Sequence, residues 1–361
     1  MKTRIAIIFG GKSAEHEVSA RSASNIYHAV DRKKFDVILI GVDKAGVWHY
    51  NSIHSHTDFN VEEYFNSAIP VRIDNIENKP VLVDKNTHQV ILSFDVVFPI
   101  IHGTFGEDGT LQGLLKSLNV PFVGPDVIGS AVCMDKDVTK RLLRDSGIPV
   151  ADFITVYRNE RHDISFGKVT EKLGLPVFVK PCNAGSSVGV SKVTDETSFT
   201  SAIDMAFKFD DKVLIEEAVT GKEVECGILG NDDLQVSVVG EIVPTKDFYS
   251  YEAKYIDAEG AKLRVPAEID ARIADEIRQT ALKAFRVTCC KGMARVDFFL
   301  RNDQTYVLNE LNTLPGFTEI SMYPKVFEST GISYADLITQ LVELALERHR
   351  QNNELQTTLK V

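Results

Sequence analysis

The sequence predicts an α/β chain, α+β overall, folded as three lobes. Three observations carry this. The chain has 361 residues, more than one ordinary core holds, since a domain takes roughly 100–200. Its first third alternates short apolar runs with helical segments, the pattern of a parallel sheet. Its last third carries two alternating strands in tandem, which read as a hairpin. The expected lobes are 1–135, 136–223 and 224–361.

The elements follow in order. Arg4–Phe9 is an apolar run of the buried-strand type, ending in Gly10-Gly11. Ser13 is the expected N-cap of a helix running to about Tyr27, with Glu15 and Glu17 where the helix dipole favours acids. Asp36–Val42 and Asp95–Ile101 are the next strands. Loops at the carboxyl ends of such strands bind ligands, which points at Gly10–Glu17 and at Ile101-His102-Gly103. Residues 45–86 are polar and weakly periodic and read as an insertion. The second unit begins near Lys136, with a helix over Asp137–Ser146, a strand over Pro176–Lys180, a glycine-rich loop and a strand over Lys212–Glu217. The third unit holds the strands Ala294–Leu300 and Thr305–Leu311 and a closing helix over Tyr334–Arg348, with a frayed polar tail from Gln351.

Composition bounds the function. Hydrophobic residues at 44% and charged residues at 25% are ordinary for globular proteins and exclude wholly disordered, collagen-like or coiled-coil chains. Lys plus Arg is 40 against 51 Asp plus Glu, a net charge of −11, which argues against nucleic acid as a general partner. The five cysteines, Cys133, Cys182, Cys226, Cys289 and Cys290, form no CxxC and no even framework, so reduced thiols and a cytoplasmic location are expected. No run approaches the roughly 20 apolar residues that span a bilayer, and no membrane partner is expected.

Two familiar motifs fail. Gly10-Gly11-Lys12-Ser13 resembles the end of a P-loop, but the required upstream glycine is Ala6 inside a strand. His54-Ser55-His56 has no further ligand at a recognised spacing and reads as a solvated loop.

Two constellations hold. Side chains at i and i+2 of a strand share a face, so Arg295 and Asp297 point one way, as do Glu310 and Asn312. If the strands pair through Arg301–Gln304, one surface presents Asp297, Glu310 and Asn312 together. Oxygen donors without His or Cys suit Mg²⁺ beside phosphate. The phosphate half lies upstream. Lys180 ends an apolar strand, where a lone lysine is out of place without an anion. The loop Asn183–Gly189, with Ser186 and Ser187, can bring backbone N–H groups close to a triphosphate. Lys136 is a second phosphate lysine. Val213–Val219, with Glu216 and Glu217, reads equally as a nucleotide hinge and as a strand that ends in acids.

With these motifs in place, the chain resembles the ATP-grasp superfamily and, within it, the D-alanine–D-alanine ligase family. The likeness rests on Gly10–Ser19, His102-Gly103 with Gly106–Gly113, Met134-Asp135-Lys136, Lys180-Pro181, Gly185–Gly189, Tyr251–Tyr255, Ala294–Asp297 and Asn309–Gly316, and it runs nearly end to end. It implies the ATP-grasp fold behind an α/β N-terminal lobe, and ligation of two D-alanines for peptidoglycan precursors through an acyl phosphate. It further implies ATP, two Mg²⁺ (Mn²⁺ as substitute) and a homodimer. By the same resemblance Lys136, Lys180, Ser187 and Lys254 serve the phosphates, and Glu216 reads the adenine amino group. The backbone at Glu217 and Val219 reads the ring edge, and Glu223 holds the ribose. Asp297, Glu310 and Asn312 hold the metals. Glu15 takes the ammonium of the first D-alanine, and His102 lies beside it. Glu15, Ser186 and Tyr255 form a link that closes a lid within Lys246–Gly260. Arg295 faces the developing oxyanion, and Gly316 and Ser321 face the second D-alanine. Tyr255, where D-lactate-preferring relatives usually carry Phe, implies D-alanine as acceptor.

Overall fold

The computed structural model describes residues 2–52, 61–244 and 261–356. Its strands form three sheets. The first contains β1 (Thr3–Gly10), β2 (Phe35–Val42), β3 (Trp48–Tyr50), β4 (Ile69–Ile76), β5 (Lys79–Asp84), β6 (Val90–Ser93) and β7 (Val96–Pro99), in the order β6-β5-β4-β3-β2-β1-β7. β1 is parallel to both β2 and β7. It is buried on both faces, which is why it reads as a continuous apolar run.

The stretch expected as an insertion behaves differently. Its described residues supply β3, β4 and β5, antiparallel strands that extend the first sheet. Val71, Val81, Leu82 and Val83 are buried there. Only β4 alternates in burial, while β3 is short and half-buried and β5 buries the contiguous run Pro80–Val83, so no single period marks the stretch. The helix α1 (His16–Ala29) starts later than Ser13, with Glu15 at the cap position. Gly10 and Gly11 both take positive φ, and the chain needs an extra turn, in which Ser13 Oγ accepts from the Glu15 N–H at 3.0 Å, before helical hydrogen bonding begins.

The second sheet is antiparallel: β8 (Phe153–Tyr157), β9 (Val177–Pro181), β10 (Ser191–Val193) and β11 (Lys212–Glu217), in the order β10-β9-β11-β8. Its own core includes Val169, Val177, Val179, Phe199, Ile203 and Val213. The third sheet holds β12 (Gly221–Gly230), β13 (Gln235–Val236), β14 (Gly240–Pro244), β15 (Ala261–Arg264), β16 (Gly292–Arg301) and β17 (Tyr306–Asn312). β16 and β17 pair antiparallel, as the tandem alternation requires.

The cores cut across the sequence order. Ile5, Phe9, Tyr27 and Phe98 of the first lobe share one cluster with Tyr323, Phe327, Leu337 and Leu341 from the end of the chain. The last two come from the long final helix, which runs over Tyr334–Glu354, past the expected end at Arg348. Arg348 explains the extension: its guanidinium is buried and donates to the carbonyls of Phe122, at 2.7 Å, and Gly124. That tie fastens the helix to the first lobe. The helix α2 (Lys136–Asp145), expected one residue later, packs Leu143 into the core of the third sheet. Among the described residues no helix is long and apolar enough to cross a membrane.

Candidate active site

A cleft of about 1180 Å³ opens where the three sheets meet. It gathers Glu15, His102, Ser186, Glu223, Arg295, Asp297, Glu310, Asn312, Gly316 and Ser321. These ten expected residues come from all three lobes. Lys136, Lys180, Ser187, Glu216, Glu217 and Val219 do not line it. Lys254 and Tyr255, with the expected lid, lie outside the described residues.

Glu15 reaches across lobes. Ser186 Oγ donates to Glu15 Oε1, so one half of the expected three-residue link is present. Ser186 and Ser187 both have left-handed backbone, φ 49° and 60°, which costs energy in residues other than glycine and marks a constrained loop. Gly185 packs against Glu15: a Cβ there would sit 3.0 Å from Glu15 Oε2, and the carboxylate would have to shift.

The expected acidic face forms. Register pairs Arg295 with Asn312 and Asp297 with Glu310. Asn312 Nδ2 donates to Asp297 Oδ2 at 2.8 Å. Arg295 donates from Nε to Asp297 Oδ1 at 2.8 Å and from its terminal nitrogen to Oδ2 at 2.7 Å. Burial alone would weaken its protonation, but Asp297 and Glu225 outweigh that and hold the guanidinium charged. Among the described residues no three His, Cys, Asp or Glu side chains gather as a metal cluster. The donors here are two acids and an amide. All are hard oxygens on one sheet face, and they fit Mg²⁺ by chemistry.

The lysines are arranged differently from expectation. Lys136 Nζ donates to the Ala184 carbonyl at 2.7 Å and lies 3.7 Å from Glu310 Oε2, linking the glycine-rich loop to the acidic face. Lys180 and Lys140 both contact the Glu216 carboxylate, one on each oxygen. Glu216 was expected to read an adenine amino group; here it is 2% exposed and enclosed by two ammonium groups. Strand alternation turns it inward toward α2, while Glu217 turns outward to Arg301 at 2.8 Å. The Glu217 N–H is spent on the Asp152 carbonyl, so at most its carbonyl faces a ligand. Burial raises the Glu216 pKa, but the two lysines more than reverse this and it stays below the usual carboxylate range. Burial also pulls Lys180 down, yet Glu216 lifts it above an ordinary lysine. For Lys140 burial wins and its pKa is lowered. Sequence reasoning missed Lys140, although its signal was present: it stands one helical turn from Lys136, on the same face.

The loop after β17 is stitched to the first lobe. His102 Nδ1 lies 3.0 Å from the Leu314 carbonyl, an acceptor only, so Nδ1 carries the proton. Burial lowers the His102 pKa, so the ring is neutral and Nε2 accepts from Ser22 Oγ at 3.3 Å. Ser22 Oγ in turn accepts the Phe317 N–H. Glu107, a residue with no assigned role in the sequence reading, accepts from Gly103 N–H at 2.7 Å and Leu314 N–H at 3.1 Å. Its pKa is pushed up to about 8, first by loss of water and then by Glu15. Gly316 faces Ser321: a Cβ there would meet Ser321 Oγ at 2.7 Å. The Ser321 hydroxyl bonds Thr318 through both its N–H and its hydroxyl. Cys182 is fully buried with its thiol pushed up to about 12, which leaves it inert.

Comparison with known proteins places the chain in a family. Family models described as D-ala D-ala ligase N-terminus and C-terminus match residues 4–125 and 142–343. The chain is 54% identical to D-alanine–D-alanine ligase A of Escherichia coli strain K12, covering 99% of this chain and 100% of that one. It is 51% identical to the D-alanine–D-alanine ligase of Oceanobacillus iheyensis, covering 99% of each. Among solved structures it resembles the D-alanine-D-alanine ligase of Coxiella burnetii, with TM-score 0.87, 38% identity and 98% and 96% coverage. It also resembles the VanG D-Ala:D-Ser ligase of Enterococcus faecalis, with TM-score 0.84, 35% identity and 96% and 100% coverage. The chain therefore has the ATP-grasp fold and belongs to the D-alanine–D-alanine ligase family.

Proposed function

We propose that this protein joins two D-alanines into D-alanyl-D-alanine at the expense of ATP, in the cytoplasm, as a step toward peptidoglycan precursors. The observation that carries the reading is the cleft itself. A carboxylate that can hold an ammonium (Glu15), an acidic sheet face and the Gly316–Ser321 turn open on one space, and Lys136 stands 3.7 Å from that face at Glu310.

A carboxylate is a poor acyl donor at neutral pH. Transfer of the γ-phosphoryl group to the first D-alanine gives D-alanyl phosphate and ADP. The second amine then attacks the carbonyl carbon, the C–O bond to phosphate breaks, and the amine proton leaves with phosphate or solvent. Glu15 holds the first ammonium, and Ser186 fixes its carboxylate. Lys136, Lys180 and Lys254 offset the triphosphate charge, and Ser187 adds a phosphate contact. Arg295 faces the developing oxyanion. Glu223 holds the ribose, while Glu216, Glu217 and Val219 lie along the adenine side. Ser321 and the bare backbone of Gly316 receive the second substrate, and His102 and Glu107 set the loop that carries them. Asp297, Glu310 and Asn312 would hold two Mg²⁺, with Mn²⁺ as substitute; bound there, the ions supply neutralisation of phosphate charge. Tyr255 completes the link to Ser186 and selects D-alanine as acceptor, and the stretch around it excludes water from the acyl phosphate. The working form is a homodimer.

The test is incubation with ATP, Mg²⁺ and D-alanine, following ADP and identifying the product by mass spectrometry, with L-alanine, D-serine and D-lactate in parallel. ADP with D-alanyl-D-alanine is expected. A product dominated by D-alanyl-D-serine would move the acceptor assignment, and no ADP with any substrate would overturn the reading.

A further inference from the structure

The third sheet carries a carboxylate that no role above uses. On β12, Glu223 and Glu225 alternate with the buried Val224 and Cys226, so both acids face the cleft. Register then lines up one row across three strands: Glu225 opposite Asp297, and Asp297 opposite Glu310. The next row is Gly227, Arg295 and Asn312. Glu225 is 4% exposed. Its Oε2 lies 2.8 Å from Arg295 Nε, the same nitrogen that donates to Asp297 Oδ1 at 2.8 Å.

We propose that Glu225 is a positioning residue: it gives the Arg295 guanidinium a second seat, so that Asp297 can turn from Arg295 to a divalent cation while the arginine stays in the site. Nε carries a single proton, and two carboxylates flank it. With both Asp297 oxygens engaged by Arg295, and Oδ2 also accepting from Asn312, Asp297 has little lone-pair capacity left for a metal. A small rotation of the guanidinium redirects Nε–H to Glu225. The exchange needs no new burial of charge, because Glu225 is already inside. Without a charge at 225, a cation reaching Asp297 must break a buried ion pair with nothing to compensate it. Glu225 thus couples the metal face to the residue that meets the oxyanion.

This inference rests on the metal reading above. The test uses the full chain with a non-hydrolysable ATP analogue and no amino acid, so that binding is read without turnover. Mn²⁺ affinity is measured by electron paramagnetic resonance for the wild type, Glu225→Gln, Arg295→Met and the double variant, with thermal melts to establish folding. Glu225→Gln is expected to weaken Mn²⁺ binding about tenfold, the scale of one charged hydrogen bond. In the Arg295→Met background the same change should alter affinity less than about twofold, since there is no guanidinium left to seat. Unchanged affinity in Glu225→Gln overturns the proposal. So does an equal loss with Arg295 absent, which would make Glu225 only a through-space charge. If Glu225→Gln does not fold, Glu225→Asp, charged but a methylene shorter, carries the test. About a threefold loss is then expected, again abolished by Arg295→Met, and an unchanged affinity overturns the idea. A wild type that binds no Mn²⁺ would sink the metal reading along with this one.

Discussion

Glu216 is the group whose removal should hurt the fold most. Its side chain is 3% exposed, and it stands between Lys140 at 1% and Lys180 at 13%. Glu216→Gln keeps the shape and strands two ammonium groups in one buried pocket. Stranding a buried charge costs about 3–5 kcal/mol. Lys140→Met removes one ammonium and leaves a one-to-one pair between Glu216 and Lys180. It also relieves the burial that already lowers the Lys140 pKa, so a cost of about 1 kcal/mol or less is expected. The double variant, with Lys180 alone, should fall between. The assay is urea unfolding at pH 7 for all three, repeated on lowering the pH. The folded-state pKa of Glu216 lies below its ordinary value. Its contribution is therefore complete above the ordinary value of 4.5 and is lost as pH falls through the folded value. The gap between wild type and Glu216→Gln should narrow only in that acid range. Equal losses in Glu216→Gln and Lys140→Met, or a gap that does not respond to acid, would refute the reasoning.

Three further outcomes follow from the same structure. Glu107 binds a proton in the folded state between its ordinary range near 4.5 and about 8, so the wild type should lose stability as pH rises across that window, by up to roughly 5 kcal/mol. Glu107→Gln should flatten that slope in melts at a series of pH values, and should raise the KM for the second D-alanine more than for the first. Asp297→Asn and Glu310→Gln should each lower turnover about a hundredfold at limiting Mg²⁺, with partial recovery at high Mg²⁺; near-normal rates at limiting Mg²⁺ would remove them from the metal set. Tyr255→Phe should raise depsipeptide relative to dipeptide when D-lactate and D-alanine compete, read as a product ratio by mass spectrometry; an unchanged ratio would remove Tyr255 from acceptor choice.

Much of the site was legible in the chain because it is written in strand periodicity. Arg295, Asp297, Glu310 and Asn312 share a face by a period of two, and a hairpin needs only a short turn, so local rules suffice. Ser186 and Ser187 announced themselves through their glycine neighbours. The strands in 45–86 were not legible for the opposite reason: β3 is only three residues long, β4 alternates and β5 is a short contiguous buried run, so no common period runs through them. The lysine partners of Glu216 were not legible, because a strand pattern says which side a residue faces and not what waits there. Lys140, on a helix some 75 positions earlier in sequence, is one of them.

The α/β plan, the acidic face and the glycine-rich loop follow from local order, since each depends on residues near one another in the chain. Long-range packing set the rest: residues from both ends of the chain share a core, Arg348 ties them, and His102 and Glu107 hold the Leu314 backbone. It alone paired Arg295 with two carboxylates and enclosed Glu216 between two lysines. Those contacts join residues tens to hundreds of positions apart, and periodicity carries no information across such distances. They exist because buried polar groups must find partners wherever packing brings them.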